Sequence, residues 1–361
     1  MKSIFALILN CMLLSLIILS NAKNQLHGSF DEKGIKRIRR QSHRRMEETD
    51  AVSRSITGSN LSRNSSTLLF NSTLYIASCS RGYGLANHLP ALLANIDVLA
   101  SFWTDWRLCI YVDEDAAEVI LSMNHTNIDI IYQAHVLPNG KYRTERISAG
   151  RNACLHHVRS LVEKSHHTLE NSYFAVMDMD EVNVSPFRAD VISGGLQNLE
   201  EWDVLTFNRE PYYDFWAARY AGYDKNIFQD AGTRAEVGAW KQFGMHKYFG
   251  TDVLDVSPLL YFPVYSAFNG IAIYKLNYTQ HCTYNWEFEG WHNEKYREEC
   301  EHVPFNKCII AKHDGKVRIY NKKILDAKET YSAEQLAKYA INFTIPEGKP
   351  LNGKQQIGQF S

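Results

Sequence analysis

The chain has 361 residues, is 45% hydrophobic and 22% charged, and carries a formal net charge of -1. This is a globular composition and excludes a collagen-like chain, a charged disordered polymer and a miniature disulfide scaffold. It creates no overall positive field, so no nucleic-acid partner is expected.

At the N-terminus Lys2 precedes an apolar run from Ile4 to Leu19, and Ser20-Asn21-Ala22 places small residues where a signal peptidase cuts. Residues 1–22 are expected to be a signal peptide or signal anchor. The protein is then a single-pass type II membrane protein of the Golgi or ER lumen, held to the membrane by this segment if uncleaved, or is secreted after cleavage. Sequons at Asn60, Asn64, Asn71, Asn124, Asn277 and Asn342 fit export. Residues 23–66 are basic and polar with no apolar period, the pattern of a disordered stem.

Leu74 to Ala77 predicts a buried strand, followed by a loop with Arg81, Gly82 and Gly84. Leu85, Leu89, Leu92, Leu93, Ile96 and Leu99 recur at helical spacing. Leu108, Ile110 and Val112 form a second strand, and Asp113 ends it as a possible cap for a helix through Leu121. A third strand covers Ile128 to Tyr132, and Cys154, Val158, Leu161 and Val162 mark another helix. Tyr173 to Met177 is a continuous apolar run, as in a strand buried on both faces. Val204–Phe207 and Gly270–Tyr274 predict further strands.

This alternation predicts an α/β fold with a mostly parallel, doubly wound sheet and helices on both faces. Ligands of such sheets bind beyond the carboxyl ends of the strands. The catalytic domain is expected over 67–330, with a C-terminal extension over 331–361. Among the cysteines, Cys282 and Cys300 lie in a polar stretch and are the first disulfide to test. Cys109 and Cys154 read as buried small hydrophobes.

Asp178-Met179-Asp180-Glu181 stands directly after Met177, at a predicted strand exit. Mn2+ and Mg2+ take oxygen ligands, commonly one or two carboxylates plus substrate phosphates. Asp180 is the expected direct ligand, with Asp178 facing the metal through water or facing the nucleotide. Arg146 and Arg151 can contact phosphate or these carboxylates. Arg81, Asp113 and Asp115 are candidate nucleotide contacts, and a helix cap accounts equally well for Asp113. Tyr212, Tyr213, Asp214, Trp216 and Arg219 form an aromatic and polar cluster suited to a sugar, whose apolar faces stack on rings and whose hydroxyls meet Asp and Arg. A buried aromatic seam with an Arg–Asp pair is the alternative. Asp214 and Glu181 are the candidate catalytic bases. Trp240, Trp286 and Trp291 line the acceptor side or fill core. The pairs His156-His157 and His166-His167 read as solvated.

The run Tyr173-Phe-Ala-Val-Met-Asp-Met-Asp-Glu-Val-Asn-Val resembles the metal-motif strand of GT-A fold (nucleotide-diphospho-sugar transferase) glycosyltransferases. Arg146-Ile-Ser-Ala-Gly-Arg-Asn-Ala-Cys-Leu, Trp202-Asp-Val-Leu-Thr-Phe-Asn-Arg and Tyr212-Tyr-Asp-Phe-Trp-Ala-Ala-Arg resemble segments of the fungal capsule-associated α-1,3-mannosyltransferases. Cys300-Glu-His-Val-Pro-Phe resembles the closing motif of related viral and eukaryotic enzymes. The resemblance implies a metal-dependent glycosyltransferase with a nucleotide-sugar donor, GDP-mannose favoured and a UDP-sugar possible, and a glycan or glycoprotein acceptor. It also implies a histidine in the metal shell, for which His302 is the candidate and His313 the competitor. A zinc site on Cys300, His302, Cys308 and His313 has no standard spacing. The alternative function is a non-catalytic glycan-binding protein that retains the fold.

Overall fold

The computed structural model describes residues 70–123, 126–132, 142–165, 167–210, 212, 214–221, 259–287, 298–326, 328–341 and 343–347. The expected leader and stem, Tyr213, Trp240, Trp291, His166 and the sequons at Asn60, Asn64, Asn124 and Asn342 lie outside the described residues.

Eight strands form one sheet: β1 (Phe70–Ser80), β2 (Trp103–Val112), β3 (Ile128–Tyr132), β4 (Ser172–Met177), β5 (Val204–Glu210), β6 (Tyr261–Pro263), β7 (Ile271–Lys275) and β8 (Val317–Asp326). Their order is β3-β2-β1-β4-β7-β5-β8-β6. β1, β2, β3, β4, β5 and β8 run in one direction, while β7 and β6 oppose them. The helices are α1 (Leu85–Ala100), α2 (Glu114–Leu121), α3 (Arg143–Lys164), α4 (Ala189–Leu196), α5 (His302–His313) and the short α6 (Ala333–Leu336). The expected α/β class with a mostly parallel sheet is therefore present.

Side chains of a strand alternate between its two faces, and here both faces are covered. Leu74 and Ile76 of β1 and Tyr173, Ala175 and Met177 of β4 join the core under α1, α2 and α4. Tyr75, Ala77, Phe174 and Val176 join the opposite core, under α3 and α5. All six residues of β4 are buried, as its unbroken apolar run requires.

Two expectations are corrected, and one disfavoured alternative is excluded. Cys282 bonds to Cys308, while Cys300 is a buried free thiol. Cys282 lies in the segment after β7 and Cys308 within α5, a proximity that only the fold creates. The zinc quartet falls with it, because Cys308 is spent in the disulfide and His313 Nε2 lies 2.7 Å from the Gln280 carbonyl. The single-pass type II reading is also overturned: among the described residues no helix is long and apolar enough to cross a membrane.

The Cys282–Cys308 bridge joins residues 26 apart in sequence. Closing such a loop restricts the unfolded chain, so Cys308→Ala is expected to lower stability by about 2–4 kcal/mol. Denaturant titration with and without reductant checks this. Reductant should lower the wild-type midpoint and leave the variant unmoved.

Candidate active site

The carboxyl ends of β2, β1 and β4 lie side by side, so Asp113, Arg81 and Asp178 share one edge of the sheet. Asp113 caps α2 by accepting from Ala116 N (3.0 Å), and the same carboxylate accepts from Gly82 N (2.9 and 3.1 Å). Gly82 adopts φ 69°, a left-handed conformation that suits glycine. Of the two roles open to Asp113, the structure shows the cap. Arg81 lies 3.6 Å from it with a side chain 54% exposed, the accessible cation of this loop. Asp115 sits in the first turn of α2. Burial, Glu118 and Asp115 together push the Tyr83 phenol up.

α3 approaches the sheet closely at Gly150, where an added Cβ would stand 2.7 Å from Cys79 Sγ and from the Tyr111 ring. That contact sets the next residue, Arg151, behind the acidic motif. Arg146 is partly buried one turn earlier. Arg151 is buried and donates from Nη2 to Asp178 Oδ1 (3.1 Å). Its Nη1 pairs with Glu301 and meets His302 Nε2. The guanidinium carbon lies 4.8 Å from the Phe268 ring centroid. Burial opposes its charge, but Glu301 and Asp178 more than offset this and hold the proton firmly.

His302 is 1% exposed and stacks on Phe268 at 3.8 Å. Its Nδ1 is 3.3 Å from the Tyr274 hydroxyl. Burial and the adjacent Arg151 push its pKa well below the ordinary histidine range, so the ring is neutral. Both ring nitrogens are thus engaged inside the protein. Among the described residues the three donor groups that converge within 4.8 Å of one another are Cys109, Asp129 and His157, not Asp178, Asp180 and His302. In that cluster Arg107 Nε already donates to Asp129 (2.7 Å) and His157 lies 2.9 Å from the same oxygen, so these polar groups already partner one another. His157, its side chain 37% exposed, is solvated and also hydrogen-bonded to Asp129.

The backbone of the acidic motif is pinned from behind. Asp178 N donates to Gly270 O (3.0 Å), and Asn183 Nδ2 donates to Asp178 O (2.8 Å) and Gly270 O (2.9 Å). Gly270 adopts φ 93°, and a Cβ there would meet Arg209 Nη1 at 2.9 Å. Asp180 Oδ1 accepts from Val182 N (3.2 Å) and starts a short 3-10 turn containing Glu181, which is exposed. Although Asp180 is open to solvent by area, surrounding protein and the Asp178 charge push its pKa up to about 6.

The acceptor candidates divide. Asp214 caps its own turn through Ala217 N (3.3 Å), and burial, Asp178 and Glu301 push its pKa up to about 7. It therefore belongs to the same electrostatic cluster as the acidic motif. Tyr212 packs on Phe215 (5.2 Å), and its buried hydroxyl has no hydrogen-bond partner among the described residues. Trp216 is partly buried in the same turn. Arg219 is corrected: it is 1% exposed, bonds Glu299 (2.9 Å) and the carbonyls of Trp216 and Ala218, and is a core residue. Trp286 stacks on Tyr142 (4.9 Å).

The folded-state pKa of Asp214 lies above that of an ordinary carboxylate, so as pH rises the unfolded chain loses this proton first. Its contribution to stability is full below about pH 4 and is lost as pH rises towards about 7. Asp214→Asn cannot ionise, so thermal melts at pH 5 and pH 8 should show a smaller decline for the variant than for the wild type.

A hard divalent cation fits this donor set. Asp178 and Glu301 pair with Arg151 and Asp214 lies in the field of the same group, while Asp180 is offset by Arg143; burial first, and then the neighbouring carboxylates, push Asp180 and Asp214 up. Asp178 and Asp180 supply two carboxylates, and phosphate oxygens of a substrate complete a shell of the usual kind.

Sequence reasoning missed Asn183, Phe268, Gly270 and Glu299. The signal for Asn183 is its place two residues beyond Glu181. The others carry none, because they are brought up by β7 and by the segment before α5.

No family model matches the chain, and no curated protein is similar to it. Among solved structures, S. aureus TarS 1–349 is similar at 10% identity and a TM-score of 0.36, over 74% of this chain and 62% of that one. The same TarS fragment in complex with UDP-GlcNAc is 9% identical with a TM-score of 0.37 over the same shares. The galactosyltransferase LgtC, in complex with donor and acceptor sugar analogs, is 13% identical with a TM-score of 0.27, covering 56% of this chain and 58% of that one. The chain thus spans less than two thirds of the length of these structures.

Proposed function

We propose that the chain is a metal-dependent glycosyltransferase. It would move a sugar from a nucleotide-diphosphate donor, GDP-mannose first and a UDP-sugar second, to a hydroxyl of a glycan or glycoprotein. The observation that carries this reading is the place of Asp178 and Asp180. They stand at the carboxyl end of a fully buried central strand, where open α/β sheets bind ligands, within a surplus of carboxylate charge.

Asp178 and Asp180 would hold Mn2+ or Mg2+, which when bound neutralises charge on the departing diphosphate. Arg81, exposed beside Asp113, would contact the nucleotide, with Asp115 and Arg146 as further contacts. Asp214, with a pKa near neutrality, suits a group that takes the acceptor proton. The Tyr212 ring and the partly buried indole of Trp216 would line the acceptor side. The transferase domain would span 67–330.

Purified protein incubated with GDP- and UDP-sugars and Mn2+ or Mg2+ should release nucleotide from one donor, and EDTA should abolish the release. Release that EDTA leaves untouched would remove the metal, and no release from any donor would remove the activity.

A further inference from the structure

We infer that Arg151 is a positioning residue that fixes Asp178 by tying it to Glu301 and His302, and that it does not contact the donor's phosphates. The inference rests on the transferase reading for the task of Asp178 and on the ion network for its geometry.

Arg151 is 5% exposed, and both of its terminal nitrogens are engaged. Nη2 holds Asp178 Oδ1 at 3.1 Å, and Nη1 serves Glu301 and His302. Because a guanidinium only donates, His302 Nε2 must accept, which places the ring proton on Nδ1, facing Tyr274 of β7. Phe268 and Tyr284 rings lie 4.8 and 5.9 Å from the guanidinium carbon. Turning to a phosphate would strand the Glu301 carboxylate, 6% exposed, without its counter-charge. Leaving a buried charge unpaired is strongly unfavourable.

The frame behind Arg151 is itself anchored. Glu298 accepts from Thr144 N and Oγ1 (3.0 Å each) at the start of α3, and Glu299 is held by Arg219 (2.9 Å). The segment from Glu298 to His302 therefore braces α3 and the 214–219 turn. Through Arg151 it sets the rotamer of Asp178, whose side chain is 26% exposed and so presents an edge to solvent. The segment resembling a closing motif acts here as a support, and its histidine is not a ligand.

Arg151→Lys keeps the charge but replaces two separated terminal nitrogens with one, which cannot reach Asp178 on one side and Glu301 and His302 on the other. The full chain would be titrated with Mn2+ in the absence of donor, following free Mn2+ by electron paramagnetic resonance, and steady-state kinetics would follow. With folding verified by circular dichroism, the Mn2+ Kd should rise about 10- to 100-fold, as for other supports of metal ligands. The kcat should fall and the donor KM should hold. Glu301→Gln retains the shape and Arg151, and should raise the Mn2+ Kd in the same direction by a smaller factor. An unchanged Mn2+ Kd in both variants overturns the inference, as does a raised donor KM with unchanged Kd, the mark of a phosphate contact. Either result leaves wild-type nucleotide release standing. A wild type that neither binds Mn2+ nor releases nucleotide sinks the transferase reading and this inference together.

Discussion

Asp180→Asn is expected to lower metal-dependent nucleotide release by about two to three orders of magnitude, the usual scale for losing one electrostatic contact to a developing charge. The fold should remain as stable as before or gain slightly. Asparagine retains the side-chain oxygen that accepts from Val182 N, so the 3-10 turn keeps its cap. What disappears is a charge that surrounding protein and Asp178 already oppose, as the pKa of about 6 records. The sign follows from linkage. A carboxyl that holds its proton more tightly folded than unfolded contributes stability that is lost as pH rises through its folded pKa, so its ionised form works against folding at neutral pH. Removing the charge should therefore impair chemistry and relieve the fold, the opposition found where a site is built at the expense of stability. Nucleotide release under saturating Mn2+ and a thermal melt at pH 7.5 measure the two halves. Wild-type turnover in the variant would exclude Asp180 as a ligand.

Arg219→Met should destabilise the protein by about 3–5 kcal/mol, the range for removing one partner of a buried ion pair. Arg219 and Glu299 side chains are 1% and 4% exposed, and Arg219 also satisfies the Trp216 and Ala218 carbonyls at 2.9 and 2.8 Å. Burial already raises the Glu299 pKa, with Arg219 opposing the shift. Without the guanidinium the carboxyl would take up a proton or stay charged in an apolar setting, and either outcome costs stability. The double variant Arg219→Met/Glu299→Gln should recover part of the loss, because no unpaired charge is left. Denaturant titrations of both variants decide the matter. Normal stability with a raised acceptor KM would return Arg219 to the sugar site.

The elements of the first half were legible because each satisfies a local rule. Leucines at helical spacing specify α1, an unbroken apolar run specifies β4, and Asp113 at a strand end caps α2. The edge that carries the acidic motif followed from the same rules, since an α/β alternation places strand exits on one side. The partners of charged side chains were not legible. Arg151 and Arg219 look alike in sequence to surface cations near a ligand, yet both are buried, and their counter-charges at Glu301 and Glu299 lie 150 and 80 residues away.

By itself the amino-acid sequence determined the α/β class, the buried central strand and the stretch Asp178 to Asp180 at its exit, because periodicity and apolar runs are properties of neighbouring residues. Only the tertiary structure decided that His302 is locked inside by Arg151 and Tyr274, that Cys282 pairs with Cys308 rather than Cys300, and that Asn183 and Gly270 pin the acidic motif. The reason is physical. Desolvation, hydrogen-bond partnership and pKa depend on which groups meet in space, and β7 and the segment before α5 reach this site from far along the chain.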